Sequence, residues 1–227
     1  MLRQVRGLGA LLAAVGALLL VGSVVWSAWS VFSRAGATGP TSADVSALAV
    51  VASFAVFMLV AQVTRYRALA RRGPTEATAG GIAYWAAAFF WVPYLVVALR
   101  IGPEVDRPAI VGWLGVVLTV AGVLFAVWAV LVLGRHYDLE LEVHRDHELV
   151  RGGPYRFVRH PVYTGLGLHL IGACLATGNV LLVIGTLFVV LPVFYLRARA
   201  EERLLRDRFG AAYDEYAREV GMLLPKL

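Results

Sequence analysis

The sequence predicts an all-α integral membrane protein with about six transmembrane helices. Of its 227 residues, 59% are hydrophobic and 16% are charged, whereas about 25% charged residues is usual for a soluble domain. The mean hydropathy is +0.73. Four long apolar runs are each near the roughly 20 residues that a helix needs to cross a bilayer, and two shorter apolar runs follow them. Polar and basic connections separate these runs.

The first four apolar runs cover approximately residues 8–32, 45–64, 82–99 and 109–134. Pro93 interrupts the third run and makes it the least regular of the four. The first run follows Arg3 and Arg6 and therefore also resembles a signal peptide, with residues 33–37 as a cleavage region. Because this run is longer than a usual signal core, we expect a retained helix.

The last two apolar runs, residues 162–176 and 180–196, predict a helical hairpin. Between them, Thr177-Gly178-Asn179 is a tight-turn signal. Residues 201–220 then place apolar side chains three or four apart, with charges on the other face. This pattern predicts an amphipathic tail helix at the membrane interface, which ends before Pro225.

The distribution of basic residues predicts the orientation in the membrane. The chain has 21 Lys and Arg residues and a formal net charge of +6. Three of them, Arg34, Arg100 and Arg107, fall in connections on one side, and the other 18 fall on the side of both termini. The positive-inside rule places that side, with the polar connection before the hairpin, in the cytoplasm. We expect a multi-pass protein of the plasma membrane of a prokaryote.

Several other classes of function are disfavoured. The basic residues flank apolar runs instead of covering one face of a soluble domain, which argues against a nucleic-acid partner. The single cysteine, Cys174, excludes an internal disulfide and a CxxC metal site. Only His169 among five histidines falls within a predicted span, so the sequence lacks paired haem ligands or a clustered zinc set. Gly165 and Gly167 follow no strand, unlike a dinucleotide-binding loop. The first four runs are nearly devoid of charge, unlike a transporter or channel.

The segment from residue 147 to 163 is polar, glycine-rich and basic, although it lies between apolar runs. Gly152-Gly153-Pro154 bends the chain and exposes backbone hydrogen-bonding groups. The side chains suited to ligand binding are aromatic, hydrogen-bonding or cationic: Tyr155, His160, Tyr163, Arg156 and Arg159. The alternative is an ordinary cytoplasmic connection whose arginines only orient the protein.

A second charged cluster lies at the inner end of the last apolar run. Arg197 and Glu201 are four residues apart and share one face of a helix, and Glu202 follows directly. An exposed ion pair of this kind contributes little to stability. At membrane depth beside a pocket, in contrast, ionisable groups tend to be functional. The residues alone leave both interpretations open.

Several segments of the chain recur in the order and spacing of a known signature. These are HELVRGGPYRFVRHPVYTG from His147, R-x3-EE from Arg197, FGAAYDEY from Phe209, and the late Pro225. They resemble the carboxyl-terminal signature of the isoprenylcysteine carboxyl methyltransferase family, and of related membrane methyltransferases that act on phospholipid amines and small thiols. The resemblance implies N-terminal transmembrane helices at residues 1–134 and a methyltransferase core at residues 135–227.

The resemblance also implies a binding site for S-adenosylmethionine. The adenosine part would be lined, largely through backbone groups, by His147, Glu148, Leu149 and Val150. The rest of the cofactor would be held from the loop by Tyr155, His160, Pro161, Val162 and Tyr163. Glu201 would contact the cofactor from the last helix, and Arg197 would face the substrate and the reacting group. The expected catalytic residues are Arg197 and Glu202.

The acceptor of the methyl group is expected to be lipophilic and to enter from the membrane lipid. Methyl transfer is a direct displacement that depends on alignment and electrostatic complementarity, so we expect no metal. Arg197 would hold a carboxylate acceptor, as on isoprenylcysteine, without a base. A phospholipid amine or a small thiol would need a base, with Glu201 or Glu202 as the candidate. A non-catalytic membrane scaffold derived from the family is the remaining alternative.

Overall fold

The protein is described by a computed structural model over residues 18, 21–29, 42–69, 75–78, 94–95, 97–99, 101–137, 142–144 and 148–226. Within these residues the chain is predominantly helical, which confirms the predicted helical class. Most of the predicted spans at residues 8–32 and 82–99 lies outside the described residues. The possible cleavage region at residues 33–37 lies outside them too.

Six α-helices have defined bounds among the described residues: α1 Ser42–Leu69, α2 Ala109–Leu133, α3 Pro161–Thr177, α4 Val180–Gly185, α5 Leu191–Phe209 and α6 Ala211–Glu219. A π-helical turn, Thr186–Val190, continues α4 into α5. The stretches Val45–Ala68, Ala109–His136 and Val180–Phe209 are long and apolar enough to cross a membrane, and Pro161–Thr177 is apolar but shorter. Four predicted apolar runs are therefore helices.

Two short strands depart from a purely helical fold. β1, Thr75–Thr78, pairs antiparallel with β2, Glu142–His144, and the register is irregular between Thr75 and Ala77. Each strand lies in a polar connection, where its pairing satisfies backbone groups that no helix uses. Strands of three or four residues are too short to give an alternating sequence pattern, so the sequence did not predict them.

The chain forms two compact units that interleave along the sequence. Unit 1 comprises Met1–Val56, Gly81–Val120 and His169–Val190. Unit 2 comprises Phe57–Gly80, Ala121–Leu168 and Leu191–Leu227. The division into an N-terminal part and a core at residue 134 stays a prediction.

In unit 1 the turn between α3 and α4 is fixed by Asn179, as its turn signal predicted. The Asn179 side chain accepts a hydrogen bond from the Leu182 N–H over 2.9 Å and so caps α4. Its amide donates to the carbonyls of Ala98 and Gly102 over 2.7 and 3.1 Å. His169 is fully buried and stacks on Phe54, with ring centroids 5.6 Å apart.

Unit 2 has two notable features: α3 packs closely against α2, and the predicted tail helix is divided into two helices. A Cβ placed on Gly165 of α3 would lie 2.6 Å from the Gly122 carbonyl oxygen of α2, so only glycine allows this approach. The tail is two helices instead of the single one predicted, because Gly210, with φ of 52°, ends α5 and starts α6. Tyr213 and Tyr216 of α6 are buried within unit 2.

Candidate active site

The polar segment 147–163 is called the glycine-rich loop here. It contains a single turn of 3-10 helix, Gly153–Arg156, which begins after Gly152. Pro154 occupies its first turn, where a missing N–H costs nothing. Tyr155 is buried, and its hydroxyl approaches the Ala129 carbonyl at 3.4 Å. Burial, together with the negative charge of Glu201, raises the pKa of Tyr155 well above its usual value. The hydroxyl therefore stays a proton donor, and this part of the loop is a packed element.

His160, directly before α3, and Tyr163, in the first turn of α3, lie next to each other. Pro161 is the first residue of α3 and is buried, and Val162 beside it is half-buried. The Thr164 N–H donates to the His160 carbonyl over 3.0 Å and closes the first helical turn. His160 and Tyr163 stack with ring centroids 5.9 Å apart. The start of α3 thus presents an imidazole and a phenol as one stacked pair.

Glu201 of α5 meets both of these rings. Its Oε2 lies 3.2 Å from His160 Nδ1, and its Oε1 accepts a hydrogen bond from the Tyr163 hydroxyl. Arg197 Nε lies 3.7 Å from the same Oε1, as the four-residue spacing predicted. The Glu201 side chain keeps 26% of its surface exposed, against 11% for Arg197. Glu201 is therefore a charged group of the cluster that a ligand can still reach.

Glu202 is the second carboxylate of the cluster and is more enclosed. Arg159 donates to its Oε1 from both Nε, over 2.8 Å, and Nη2. Arg206 Nη2 lies 3.4 Å from its Oε2, and His160 Nε2 lies 3.6 Å from its Oε1. Only 7% of the Glu202 side chain is exposed. Two guanidiniums thus occupy this carboxylate, which suits a structural ion pair.

His160 is buried between the two carboxylates, and opposing effects act on its pKa. Burial lowers the pKa, because it disfavours the charged imidazolium. The hydrogen bonds and negative charges of Glu201 and Glu202 raise it, and the net result is a pKa above the usual 6.5. When His160 is protonated, its Nδ1 can donate to Glu201 over 3.2 Å, whereas its Nε2, at 3.6 Å from Glu202, is buried without a hydrogen-bond partner among the described residues.

The structure brings together five of the predicted site residues: His160, Tyr163, Arg197, Glu201 and Glu202. His147 lies outside the described residues. Glu148 instead forms an exposed ion pair with Arg135 over 2.7 Å, and Leu149 and Val150 beside it are half-buried. The structure thus describes only part of the segment expected to line the adenosine, residues 148–150.

Three residues of the cluster were not among the expected cofactor-binding and catalytic residues: Phe194, Arg206 and Arg159, which the sequence suggested only as a cation suited to ligand binding. Phe194 stacks on Tyr163, with centroids 5.5 Å apart. Two of the three carried a usable signal, because Phe194 is seven residues before Glu201 and Arg206 is four after Glu202 on one helix. The contact from Arg159 to Glu202 spans 43 residues of sequence and has no such signal.

Comparisons with known proteins place this chain among membrane methyltransferases. The phospholipid methyltransferase family model matches residues 110–212. A probable protein-S-isoprenylcysteine O-methyltransferase of Oryza sativa subsp. indica is 32% identical over 142 residues, which are 62% of this chain and 74% of that protein. The protein-S-isoprenylcysteine O-methyltransferase of Saccharomyces cerevisiae is 33% identical over 114 residues, 49% of this chain and 48% of the relative.

A third relative, protein-S-isoprenylcysteine O-methyltransferase B of Arabidopsis thaliana, is 30% identical over 113 residues, 49% of this chain and 57% of that protein. The match to the rice protein extends over most of its length, and the family model includes the α2–α5 region that carries the charged cluster. The resemblance inferred from the motifs is thus confirmed, and the chain belongs to the isoprenylcysteine carboxyl methyltransferase family as a membrane methyltransferase.

Proposed function

We propose that this enzyme transfers a methyl group from S-adenosylmethionine to the carboxylate of a lipophilic, isoprenylcysteine-like acceptor. The observation that carries the proposal is the contact of Glu201 with both His160 and Tyr163, next to Arg197. This contact joins the motif that begins at His147 to the R-x3-EE motif that begins at Arg197, and both motifs resemble the signature of the family. The relatives are protein-S-isoprenylcysteine O-methyltransferases, which supports the same substrate class.

The residues present fit S-adenosylmethionine. That group supplies an activated methyl on a sulfonium when it is bound. Glu201 is a partly exposed carboxylate that can pair with the cofactor's positive charge or accept its hydroxyl hydrogen bonds. Tyr163 and Phe194 offer a stacked aromatic surface beside it, suited to a cation or a flat base. Tyr155, Pro161 and Val162 would complete the wall of the loop.

Arg197 is the proposed partner of the acceptor. A guanidinium recognises a carboxylate through a planar pair of hydrogen bonds and orients it for attack. A carboxylate is already a nucleophile, so the new oxygen–carbon bond forms as the carbon–sulfur bond breaks and no proton has to be removed. Glu202, which is paired with Arg159 and Arg206, therefore does not have to act as a base for this acceptor.

Methylation of a phospholipid amine is the second candidate, favoured by the match to the phospholipid methyltransferase family model. An amine has to lose a proton before or during transfer, and Glu201, the more exposed carboxylate, would be its acceptor. A small-thiol acceptor would also have to lose a proton. For either acceptor, Glu202 would act as a base only if its ion pairs opened.

The full arrangement in the membrane is also part of the proposal. Three described stretches are long and apolar enough to cross a bilayer, and the apolar runs of the sequence bring the total to six. The charge distribution supports cytoplasmic termini and a cytoplasmic active site in the plasma membrane of a prokaryote. The tail helices would lie near the inner surface, with membrane lipid as the source of the acceptor.

Isothermal titration of the purified protein in detergent with S-adenosylhomocysteine tests the cofactor. We expect binding by the wild type and at least about tenfold weaker binding by Glu201→Gln, because a hydrogen bond to a charged group contributes about 1.5–3 kcal/mol. Glu215→Gln, an exposed change on α6, is the matched control and should bind normally. No binding by the wild type, or equal binding by Glu201→Gln, contradicts the proposed site.

A transfer assay with methyl-labelled S-adenosylmethionine distinguishes the acceptors. Label should enter a prenylcysteine analogue as an ester that mild base releases. Labelling of phosphatidylethanolamine instead would favour the amine, and labelling of neither acceptor by a protein that binds the cofactor would favour the scaffold.

A further inference from the structure

The end of the described chain returns to the turn that starts α3. Residues 220–223 are called the tail segment here. Its carbonyls accept three hydrogen bonds from this turn: Arg159 N–H to Gly221 (2.8 Å), His160 N–H to Met222 (3.0 Å) and Thr164 Oγ1 to Leu223 (2.8 Å). Because three successive tail residues pair with it, the turn has one fixed register against the tail segment.

The Arg159 side chain extends this link to two helices. Its Nε and Nη2 both donate to Glu202 Oε1 of α5. Its Nη1 donates to the Ala217 carbonyl, over 3.1 Å, and to the Val220 carbonyl at the end of α6. Only 9% of the side chain is exposed. A guanidinium holds its donors in a rigid plane, so Arg159 fixes the start of α3, α5 and the end of α6 together.

The end of α6 suits this contact. The last carbonyls of a helix lack intrahelical partners and carry the negative end of the helix dipole. Besides Arg159, Lys226 Nζ caps them by donating to the Ala217 and Arg218 carbonyls over 3.0 and 2.5 Å. The Tyr216 hydroxyl donates to the Tyr155 carbonyl over 2.6 Å and joins α6 to the loop as well.

We infer that Arg159 and the tail segment form a clamp that positions His160 and Tyr163 for the cofactor, an inference that rests on the proposed function. Arg159 is a positioning residue, because its donors are used by protein acceptors. His160 and Tyr163 follow it by one and four residues, so a displaced turn moves both away from Glu201. If so, the buried apolar face of α6 helps to position the active-site residues.

The first test compares Arg159→Lys with Arg203→Lys in the full-length protein. Arg203 is exposed on the same α5 helix. An ammonium keeps the charge but cannot reproduce the planar set of donors, so Arg159→Lys should weaken S-adenosylhomocysteine binding at least about tenfold. Arg203→Lys should leave it unchanged. Titrations are made well below each variant's unfolding midpoint, so that loss of affinity is not loss of folded protein.

Steady-state kinetics distinguish the clamp from a general loss of stability, because a general loss of stability would not change one KM and spare the other. Arg159→Lys should raise KM for S-adenosylmethionine and leave KM for a prenylcysteine analogue unchanged. Undiminished cofactor binding by folded Arg159→Lys overturns the clamp alone. Absence of binding by the wild type overturns the proposed function and the clamp with it.

A second variant reaches the clamp from the other side. A Cβ on Gly221 would lie 1.9 Å from the Leu224 carbonyl oxygen, so Gly221→Ala has to displace the tail segment. It should weaken S-adenosylhomocysteine binding without any change to α3 or α5. If both residues act through one clamp, the double variant with Arg159→Lys should bind little worse than the weaker single variant. Fully additive losses, or normal binding by Gly221→Ala, overturn the inference.

Discussion

At the scale of single residues, the enclosure of His160 by two carboxylates links protonation to folding. The folded-state pKa of His160 is raised above its unfolded value of 6.5. Protonated His160 therefore stabilises the folded state fully below pH 6.5, and this contribution is lost as pH rises through the folded pKa. Since the net shift survives a large opposing effect of burial, the carboxylates dominate the environment of the ring.

This linkage predicts a pH-dependent difference between the wild type and His160→Gln. The wild type should have the higher Tm at about pH 6, and the difference should shrink steadily toward about pH 9 as the imidazolium deprotonates. Thermal unfolding in detergent across this range measures it. A difference in Tm that stays constant with pH, or grows as pH rises, would show that His160 contributes only by packing.

The two neighbouring glutamates should respond differently to neutralisation. Glu202→Gln leaves Arg159 enclosed with a weaker partner, and breaking a buried pair costs about 3–5 kcal/mol, so a large fall in Tm is expected. Glu201→Gln should lose cofactor affinity with a smaller fall in Tm, because Glu201 is more exposed. Comparing Tm and S-adenosylhomocysteine affinity for both variants tests this division. Transfer activity of the same variants tests the predicted catalytic role of Glu202, which requires a stable but inactive Glu202→Gln.

At the scale of elements, α3 depends on its close contact with α2. Gly165→Ala should destabilise the protein by about 1–3 kcal/mol, because the added methyl meets the backbone of α2. Gly167→Ala is the matched control, since its Cβ would meet only the flexible end of Leu191 at 3.3 Å. Alanine also favours helix over glycine, so the control should be neutral or stabilising. Equal Tm values for the two variants would refute the close contact.

The turn between α3 and α4 separates two roles of Asn179. Asn179→Asp keeps the oxygen that caps α4 but loses the donors to Ala98 and Gly102, whereas Asn179→Ala loses both. Removal of the cap alone costs roughly 1–2 kcal/mol, but Asp also buries a carboxylate whose second oxygen faces the carbonyl oxygens of Ala98 and Gly102, so we expect Asp to be at least as destabilising as Ala. Thermal unfolding ranks the three proteins, and an Asp variant clearly more stable than Ala would assign most of the stability to the capping oxygen.

Local signals predicted the elements that local chemistry determines. Thr177-Gly178-Asn179 and Pro161 were recognised because backbone preferences alone define a turn and a helix start. The break at Gly210 was missed, since the apolar spacing of the tail continues through it on both sides. Spacing also cannot tell a lipid-facing stripe from a protein-facing one, and Tyr213 and Tyr216 are in fact buried in unit 2. Tyr216 donates to the Tyr155 carbonyl, 61 residues away in sequence. A local sequence pattern cannot predict so distant a partner.

At the scale of the whole molecule, the orientation is open to a direct test. In a Cys174→Ala background, Glu104→Cys and Arg218→Cys place one exposed thiol on each predicted side of the membrane. A membrane-impermeant maleimide added to intact cells should label Glu104→Cys and reach Arg218→Cys only after the membrane is opened. The reverse pattern would place the active site outside the cytoplasm and contradict the positive-inside prediction.

The cluster around His160 has one more consequence, for discrimination between acceptors. The guanidiniums of Arg159, Arg197 and Arg206 are matched in charge by the carboxylates of Glu201, Glu202 and Asp214, so His160, when it is protonated, adds a positive charge in excess. A positive field attracts an anionic headgroup and repels a protonated amine, and this preference strengthens where water is excluded. Charge selection of this kind operates before any chemical step. It would filter acidic lipids from basic ones among molecules whose hydrocarbon chains are alike.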